Sequence, residues 1–221
     1  MNHIDKPLLK PSARVRIISL ALLLLTLPFS LIHAETSSQK QAEEIFQKAY
    51  KQFTGPEGCS FSYKVNLIGI YKNAGTMWTK GKKQRFIEKR YLGWTNEHVF
   101  YKVDQKNKIV EIHKPNSPKR DKYSSKFKFN AEDFNYSVET EGDNYIISMD
   151  MKSNGTSTIK HALVTIDRKT YAPVKLRLKV LFFWATIDVA DFKKGISDES
   201  IFEFPKSKFS DYKFKDERGN E

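Results

Sequence analysis

Alternation of apolar and polar residues along most of the chain is the feature that most restricts its possible folds. Between residues 61 and 67, Phe, Tyr, Val and Leu alternate with Ser, Lys and Asn, as in a strand with one buried face. The same period of two recurs between polar turns, in segments 76–80, 84–90, 98–104, 108–114, 135–140, 145–151, 162–167, 174–180 and 181–191. This pattern predicts nine or ten short antiparallel strands in meander order.

One amphipathic helix is predicted ahead of the strands, from about residue 38 to residue 53. Its apolar residues recur with helical spacing at 42, 45, 46, 49, 50 and 53, and Gly55-Pro56 ends the helix. A short helical turn is expected at 197–201. Since an open sheet leaves one face and two edges uncovered, we expect it to curl around the helix as a half-barrel.

The first 34 residues have the layout of a secretory signal peptide. Four basic residues precede an apolar stretch at 17–27, and Ala34 stands before Glu35. A bilayer-spanning segment needs about 20 apolar residues, so cleavage after Ala34 is expected and a retained anchor is the alternative. The chain is thus divided into a signal peptide (1–34), one domain (35–205) and a charged, frayed C-terminal tail (206–221).

The net positive charge of the chain restricts its possible partners. The leader holds four of the 38 basic and one of the 26 acidic residues, so the mature chain keeps a net charge of +9. Export argues against nucleic acid as a partner. The basic, proline-containing loop at 115–126 is predicted to dock on an acidic protein or an anionic membrane through Lys119, Arg120 and Lys122. A merely solvated basic face is the alternative.

Patterns for catalysis or metal binding do not occur in the sequence. His98, His113 and His161 are isolated from one another, without the spacing of metal ligands, and no nucleophile elbow or glycine-rich phosphate loop is present. Carboxylates in the strands and turns are expected at the solvated surface: Glu88, Asp104, Asp150 and Asp167. Cys59, the one cysteine, forms no intramolecular disulfide and is expected to be a small buried hydrophobe. We predict a protein that is not an enzyme and has no cofactor or metal.

Aromatic residues, 13% of the chain, are spread through the strands and suit the walls of a hydrophobic ligand cavity. A large ordinary core is an equally open interpretation. The side chains predicted to line a cavity are Tyr63, Val65, Trp78, Phe86, Trp94, Phe100, Tyr136, Ile146, Leu176, Leu178, Phe182 and Trp184.

Several short segments occur in an order that has a known counterpart: 42–46 (AEEIF), 75–82 (GTMWTKGK), 94–101 (WTNEHVFY), 108–112 (KIVEI), 166–173 (with Ile-Asp and Tyr-Ala-Pro) and 200–205 (SIFEFP). Their order and spacing resemble the periplasmic outer-membrane lipoprotein carrier family (LolA-like), in particular its divergent Bacteroidetes-type members. Gly81-Lys82 stand where proteobacterial members have Arg-Pro, and Asn96-Glu97 where they have Asp-Gly.

The resemblance implies a mainly β (α+β) fold, a single unclosed antiparallel half-barrel of about 10–11 strands with an N-terminal helix and short helices lidding an apolar cavity. It also implies a periplasmic monomer that takes acylated lipoproteins from an inner-membrane transporter complex and delivers them to an outer-membrane receptor. The alternative on the same fold is a sensor or assembly factor that binds an envelope lipid or protein without shuttling it.

Overall fold

The computed structural model describes residues 37–67, 71–117, 131–180 and 183–220. The predicted signal peptide at 1–34 lies outside these ranges. Within them, no helix is long and apolar enough to cross a membrane.

The described chain consists of one α-helix, twelve strands and short 3-10 turns. The helix α1 spans Ser37–Thr54. The strands are β1 (Cys59–Leu67), β2 (Tyr71–Lys80), β3 (Lys83–Glu88), β4 (Tyr91–Thr95), β5 (Phe100–Asp104), β6 (Ile109–His113), β7 (Phe134–Glu141), β8 (Asn144–Met151), β9 (Ile159–Asp167), β10 (Pro173–Val180), β11 (Phe183–Lys194) and β12 (Lys213–Asp216). The 3-10 turns are Ala131–Asp133, Glu199–Phe202, Lys206–Phe209 and Arg218–Asn220.

All twelve strands belong to one sheet, in the order β12-β6-β5-β4-β3-β2-β1-β11-β10-β9-β8-β7. Neighbouring strands are antiparallel, except that β12 runs parallel to β6. Two meanders, β1–β6 and β7–β11, meet where β1 pairs with β11. Because the end strands β12 and β7 are not neighbours in the sheet, the sheet is unclosed, which confirms the predicted half-barrel.

The helix α1 covers one face of the sheet, which we call the inner face. Ala42, Ile45 and Ala49 are 0–5% exposed and pack against inner residues of β7 to β10, including Tyr136 and Leu178. Burial of this apolar stripe supplies most of the driving force for docking the helix, at about 25 cal/mol for each Å² removed from water.

The opposite face, the outer face, is covered in part by the C-terminal segment. Phe204 and Phe209 pack on the outer residue Trp94, with ring centroids 5.4 and 5.9 Å apart. Phe204 also stacks on the outer residue Tyr101 at 4.2 Å. The short turns Glu199–Phe202 and Lys206–Phe209 therefore lie on the outer face rather than over a cavity.

The structure differs from the expected frayed tail because residues 206–216 carry apolar anchors. Phe209 is buried, Phe214 and Tyr212 pack against the same cluster as Trp94, and Lys213–Asp216 add the strand β12 to the sheet. Burial of these aromatic rings and the hydrogen bonds of β12 stabilise the segment by more free energy than the ordering of its backbone costs.

One further strand, β4, lacks the alternation that identifies the others. Four of its five residues are buried, since its inner and outer faces are both covered, and a strand covered on both faces has no polar side to mark it. Gly93, in its centre, is required: a Cβ there would lie 2.0 Å from a ring carbon of Phe86.

Candidate ligand-binding face

Apolar side chains occupy the inner face on every strand from β1 across β11 to β7. Beneath α1 the buried cluster includes Ile147, Met149 and Val164. A second cluster, around Tyr63 and Val65 on β1, includes Met77 and Ile187. The half-buried side chain of Leu176 packs against both clusters. Leu176 therefore marks the junction between the part of the inner face covered by the helix and the part beside it.

Seven of the twelve predicted lining residues lie on the inner face, as the strand pairings establish: Tyr63, Val65, Phe86, Phe100, Tyr136, Leu176 and Leu178. Of these, Tyr136 and Leu178 are in the core that packs against α1. Phe182 lies outside the described residues.

The register corrects the other four, since Trp78, Trp94, Ile146 and Trp184 are on the outer face. Trp78 pairs with Ser60, whose neighbours Cys59 and Phe61 point inward. The aromatic content of the strands suggested the walls of a cavity. Trp94, however, is buried on the outer face by the C-terminal segment and is 4% exposed. Inward and outward residues alternate, so a one-residue shift reverses the assignment.

A buried polar pair interrupts the apolar surface of the inner face at β3. The hydroxyl of Tyr63 donates to Oε1 of Glu88 at 2.5 Å. The ring of Tyr63 crosses Gly75, which lies on β2 between Tyr63 on β1 and Glu88 on β3. A Cβ at position 75 would lie 2.7 Å from the hydroxyl oxygen of Tyr63. Glycine at position 75 is therefore what lets the tyrosine reach two strands away.

Glu88 is 6% exposed, which corrects its expected place at the solvated surface. Burial raises the pKa of its carboxyl to about 7, against the opposing effect of hydrogen bonds from Tyr63 and Asn73. The signal was present in the sequence: Gln84, Phe86 and Glu88 alternate in β3, so an inward Phe86 implies an inward Glu88.

Charged side chains mark the end of the inner face at β5 and β6. Nζ of Lys102 lies 3.0 Å from Oε2 of Glu111, and Nε2 of the buried His113 is 3.6 Å from the same oxygen. The neighbouring imidazole of His113, followed by the attraction of Lys102, lowers the pKa of Glu111 to about 2. The inner face is thus apolar under the helix and polar toward β6, a distribution that suits an amphiphile.

Cys59 is buried at the start of β1, and burial raises its thiol pKa to about 12. Because the thiolate is the reactive form, we expect the native protein to react with 5,5′-dithiobis(2-nitrobenzoate) at least about a hundredfold more slowly than the same protein in guanidinium chloride. Absorbance of the released thionitrobenzoate measures both rates. Equal rates would contradict the buried position.

The predicted docking residues Lys119, Arg120 and Lys122 lie outside the described residues. Across the ranges that are described, no group of three or more His, Cys, Asp or Glu residues is arranged to hold a metal ion.

Comparison with known proteins gives matches among solved structures. No family model matches the sequence, and no curated protein matches it. An uncharacterized conserved protein from Thermus thermophilus is 10% identical with a TM-score of 0.53, over 80% of this chain and 99% of that one. A LolA superfamily protein from Nitrosomonas europaea is 10% identical with a TM-score of 0.28, over 74% and 97% of the two chains. The lipoprotein LppX of Mycobacterium tuberculosis is 9% identical with a TM-score of 0.37, over 72% and 99%.

At these identities the likeness concerns the fold alone. The sheet order itself confirms the unclosed, mainly β architecture predicted from the sequence.

Proposed function

We propose that this protein is an exported, periplasmic carrier that binds the acyl chains of lipoproteins between helix α1 and the inner face, and passes them from an inner-membrane transporter to an outer-membrane receptor. The resemblance of its sequence to LolA-type carriers supplies the transport role. The chemistry of the inner face supplies the cargo class, a hydrocarbon chain with a polar end. No catalytic step is part of the proposal.

The observation that carries the proposal is that helix α1 covers an apolar sheet which, in the described residues, does not close. The helix presents the small side chains of Ala42 and Ala49 to the sheet, together with Ile45. Met149 and Met151 lie on the opposing strand β8, and methionine side chains adapt to differently shaped apolar partners. A lid held mainly by such contacts exposes a continuous apolar floor when it moves.

Binding of this kind needs no energy input from the protein. Each methylene removed from water contributes about 0.8 kcal/mol, so that a chain of about 16 carbons gains on the order of 10 kcal/mol before the cost of displacing the helix. Release is then proposed to occur at a competing apolar site on a receptor, which removes the same methylenes from water.

Leu176, at the junction of the two inner clusters, gives the sharpest test. We expect Leu176→Glu to remain folded, since the half-buried side chain can turn its carboxylate toward water, and to weaken acyl-chain binding at least about tenfold. Ile146→Glu is the matched control: it places the same charge on the neighbouring sheet region but on the outer face, and should bind like the wild type.

Binding is measured with dansyl-labelled undecanoic acid, displaced by a synthetic triacylated peptide, on full-length protein expressed with its leader. An extrinsic probe is needed because Trp78, Trp94 and Trp184 all lie on the outer face. Absence of saturable binding by fatty acid, phospholipid and acylated peptide would refute the carrier function. Equal losses in the two variants would place the acyl site elsewhere.

A further inference from the structure

Three side chains form a row across the outer face that the proposed carrier function does not use. Trp78 on β2, Arg85 on β3 and Trp94 on β4 are direct cross-strand neighbours. The guanidinium carbon of Arg85 lies 5.0 Å from the ring centroid of Trp78 and 5.6 Å from that of Trp94. We call these three residues the tryptophan–arginine row.

Arg85 is a cation without an anionic partner in the part of the chain that the structure describes. Its Nε is buried and has no hydrogen-bond partner, while the residue as a whole is partly exposed. Burial lowers the pKa of Arg85, which means that the site disfavours the charge it holds. Charges that are partly removed from water are commonly paired, so the exposed part of the Arg85 guanidinium can take a counter-charge supplied from outside.

Neighbouring lysines add to this positive charge. Nζ of Lys80 and Nζ of Lys83 lie 2.8 and 2.5 Å from the carboxylate of Glu199. Arg85 lies on the same face of β2 and β3 as these two lysines, which share the one carboxylate of Glu199, so this part of the outer face carries a surplus of positive charge. The surplus attracts an anion, and the two terminal nitrogens of a guanidinium match two oxygens of a phosphate group.

Trp78 indicates which kind of phosphate the row would meet. Its indole is partly exposed beside the guanidinium, and tryptophan favours the headgroup region of a bilayer, where an apolar ring and a polar N–H are both accommodated. Trp78 and Arg85 are the accessible part of the row, because Trp94 is 4% exposed beneath Phe204 and Phe209. A bilayer surface therefore meets the row at its β2–β3 end.

We propose that the tryptophan–arginine row is a membrane-docking site, at which Arg85 binds the phosphate of an anionic phospholipid while Trp78 enters the headgroup layer. The row is on the face opposite the proposed acyl site. The two proposals can therefore be tested independently. Leu176→Glu should leave membrane docking unchanged, and Arg85→Gln should leave acyl-chain binding unchanged.

Co-sedimentation with vesicles of phosphatidylcholine containing about 30% phosphatidylglycerol, at low ionic strength where surface charges are least screened, tests the site. We expect Arg85→Gln to lower the partition coefficient about tenfold, and Arg85→Lys nearly as much, because an ammonium group lacks the planar fork of the guanidinium. Lys64→Gln is the matched control. It removes one positive charge from an exposed position on the same outer face and should lower partition about threefold or less.

Two further measurements separate docking from a structural role and from a protein partner. Arg85→Gln should leave the melting temperature unchanged or raised, because it removes a desolvated charge with no partner among the described residues. Brominated phospholipids should quench tryptophan emission in the wild type and in Trp184→Phe, but much less in Trp78→Phe.

Four results would overturn the proposal. The first is failure of the wild type to bind anionic vesicles, the second an equal loss of binding in Lys64→Gln and Arg85→Gln, and the third binding of Arg85→Lys as strong as that of the wild type. The fourth is Arg85-dependent binding to polyglutamate without binding to vesicles, which would assign the row to an acidic protein surface instead.

Discussion

Replacing Leu178 with glutamate is expected to unfold the domain. Leu178 is 3% exposed, on β10, in the cluster that packs against Ala42, Ile45 and Ala49 of the helix. An unpaired carboxylate there costs several kcal/mol, in addition to about 3 kcal/mol for the lost leucine side chain. The sum is comparable with the whole stability of a domain, about 5–15 kcal/mol.

Circular dichroism and thermal unfolding of Leu178→Glu, Leu178→Ala and Leu178→Met measure this effect. We expect Leu178→Met to lose less than about 1.5 kcal/mol because the volume is conserved, and Leu178→Ala to lose about 3 kcal/mol. A folded Leu178→Glu protein with a melting temperature near that of the wild type would mean that position 178 faces water. The inner face under the helix would then be an open cavity.

This contrast separates the two interpretations that the composition left open. Under helix α1 the inner face is a closely packed core, where a charge is incompatible with folding. At Leu176, one alternate position along the same strand, the side chain is only half-buried, and a charge is expected to be tolerated. In the proposed carrier, the ligand site therefore begins at the junction and grows when the helix moves.

Local sequence signals predicted the elements of the fold well. The helix expected at about 38–53 is Ser37–Thr54. The polar turns expected between segments 76–80 and 84–90 and between 135–140 and 145–151 contain Gly81 and Gly142, both with positive φ. These features depend on residues a few positions apart, which the periods of helix and strand report directly. The short turn expected at 197–201 is found at Glu199–Phe202.

Long-range relations could not be predicted in the same way. A period of two says that one face of a strand is buried, but not which face, nor that β1 would pair with β11 across more than 100 residues. Trp94 is the clearest case: its burial was foreseeable, whereas the ring of Phe204 that covers it on the outer face comes from the far end of the chain. The three tryptophans were therefore placed on the wrong face.

Glu88 gives the second large effect, a decrease in stability as the pH rises from about 5 to 8. Burial raises the pKa of the folded carboxyl to about 7 from an ordinary value of 4.5. Between these two values the native state binds more protons than the unfolded state, so the free energy of unfolding falls as pH increases. Below pH 4.5 both states are protonated at this position and the full stability remains.

The size of the effect follows from the interval between the two pKa values. Each pH unit within this interval lowers the free energy of unfolding by about 1.4 kcal/mol. Ionisation of Glu88 is therefore expected to destabilise the fold by about 3 kcal/mol once the pH has passed 7. Glu88→Gln removes the ionisation while keeping an oxygen that accepts the hydrogen bond from Tyr63. We expect this variant to match the wild type near pH 4.5 and to exceed its stability by about 3 kcal/mol at pH 8.

Urea unfolding at several pH values from 4.5 to 8.5 measures the difference, and Glu111→Gln is a control of opposite sign. The pKa of Glu111 is lowered to about 2 by His113 and Lys102, so its contribution is present above its ordinary pKa of 4.5 and is lost as the pH falls. Glu111→Gln should therefore be less stable than the wild type at pH 8, where Glu88→Gln is more stable. Parallel curves for the wild type and Glu88→Gln would show that the carboxyl is hydrated. Water would then reach the inner face between β1 and β3, and the ring of Tyr63 would not seal this end of the apolar floor.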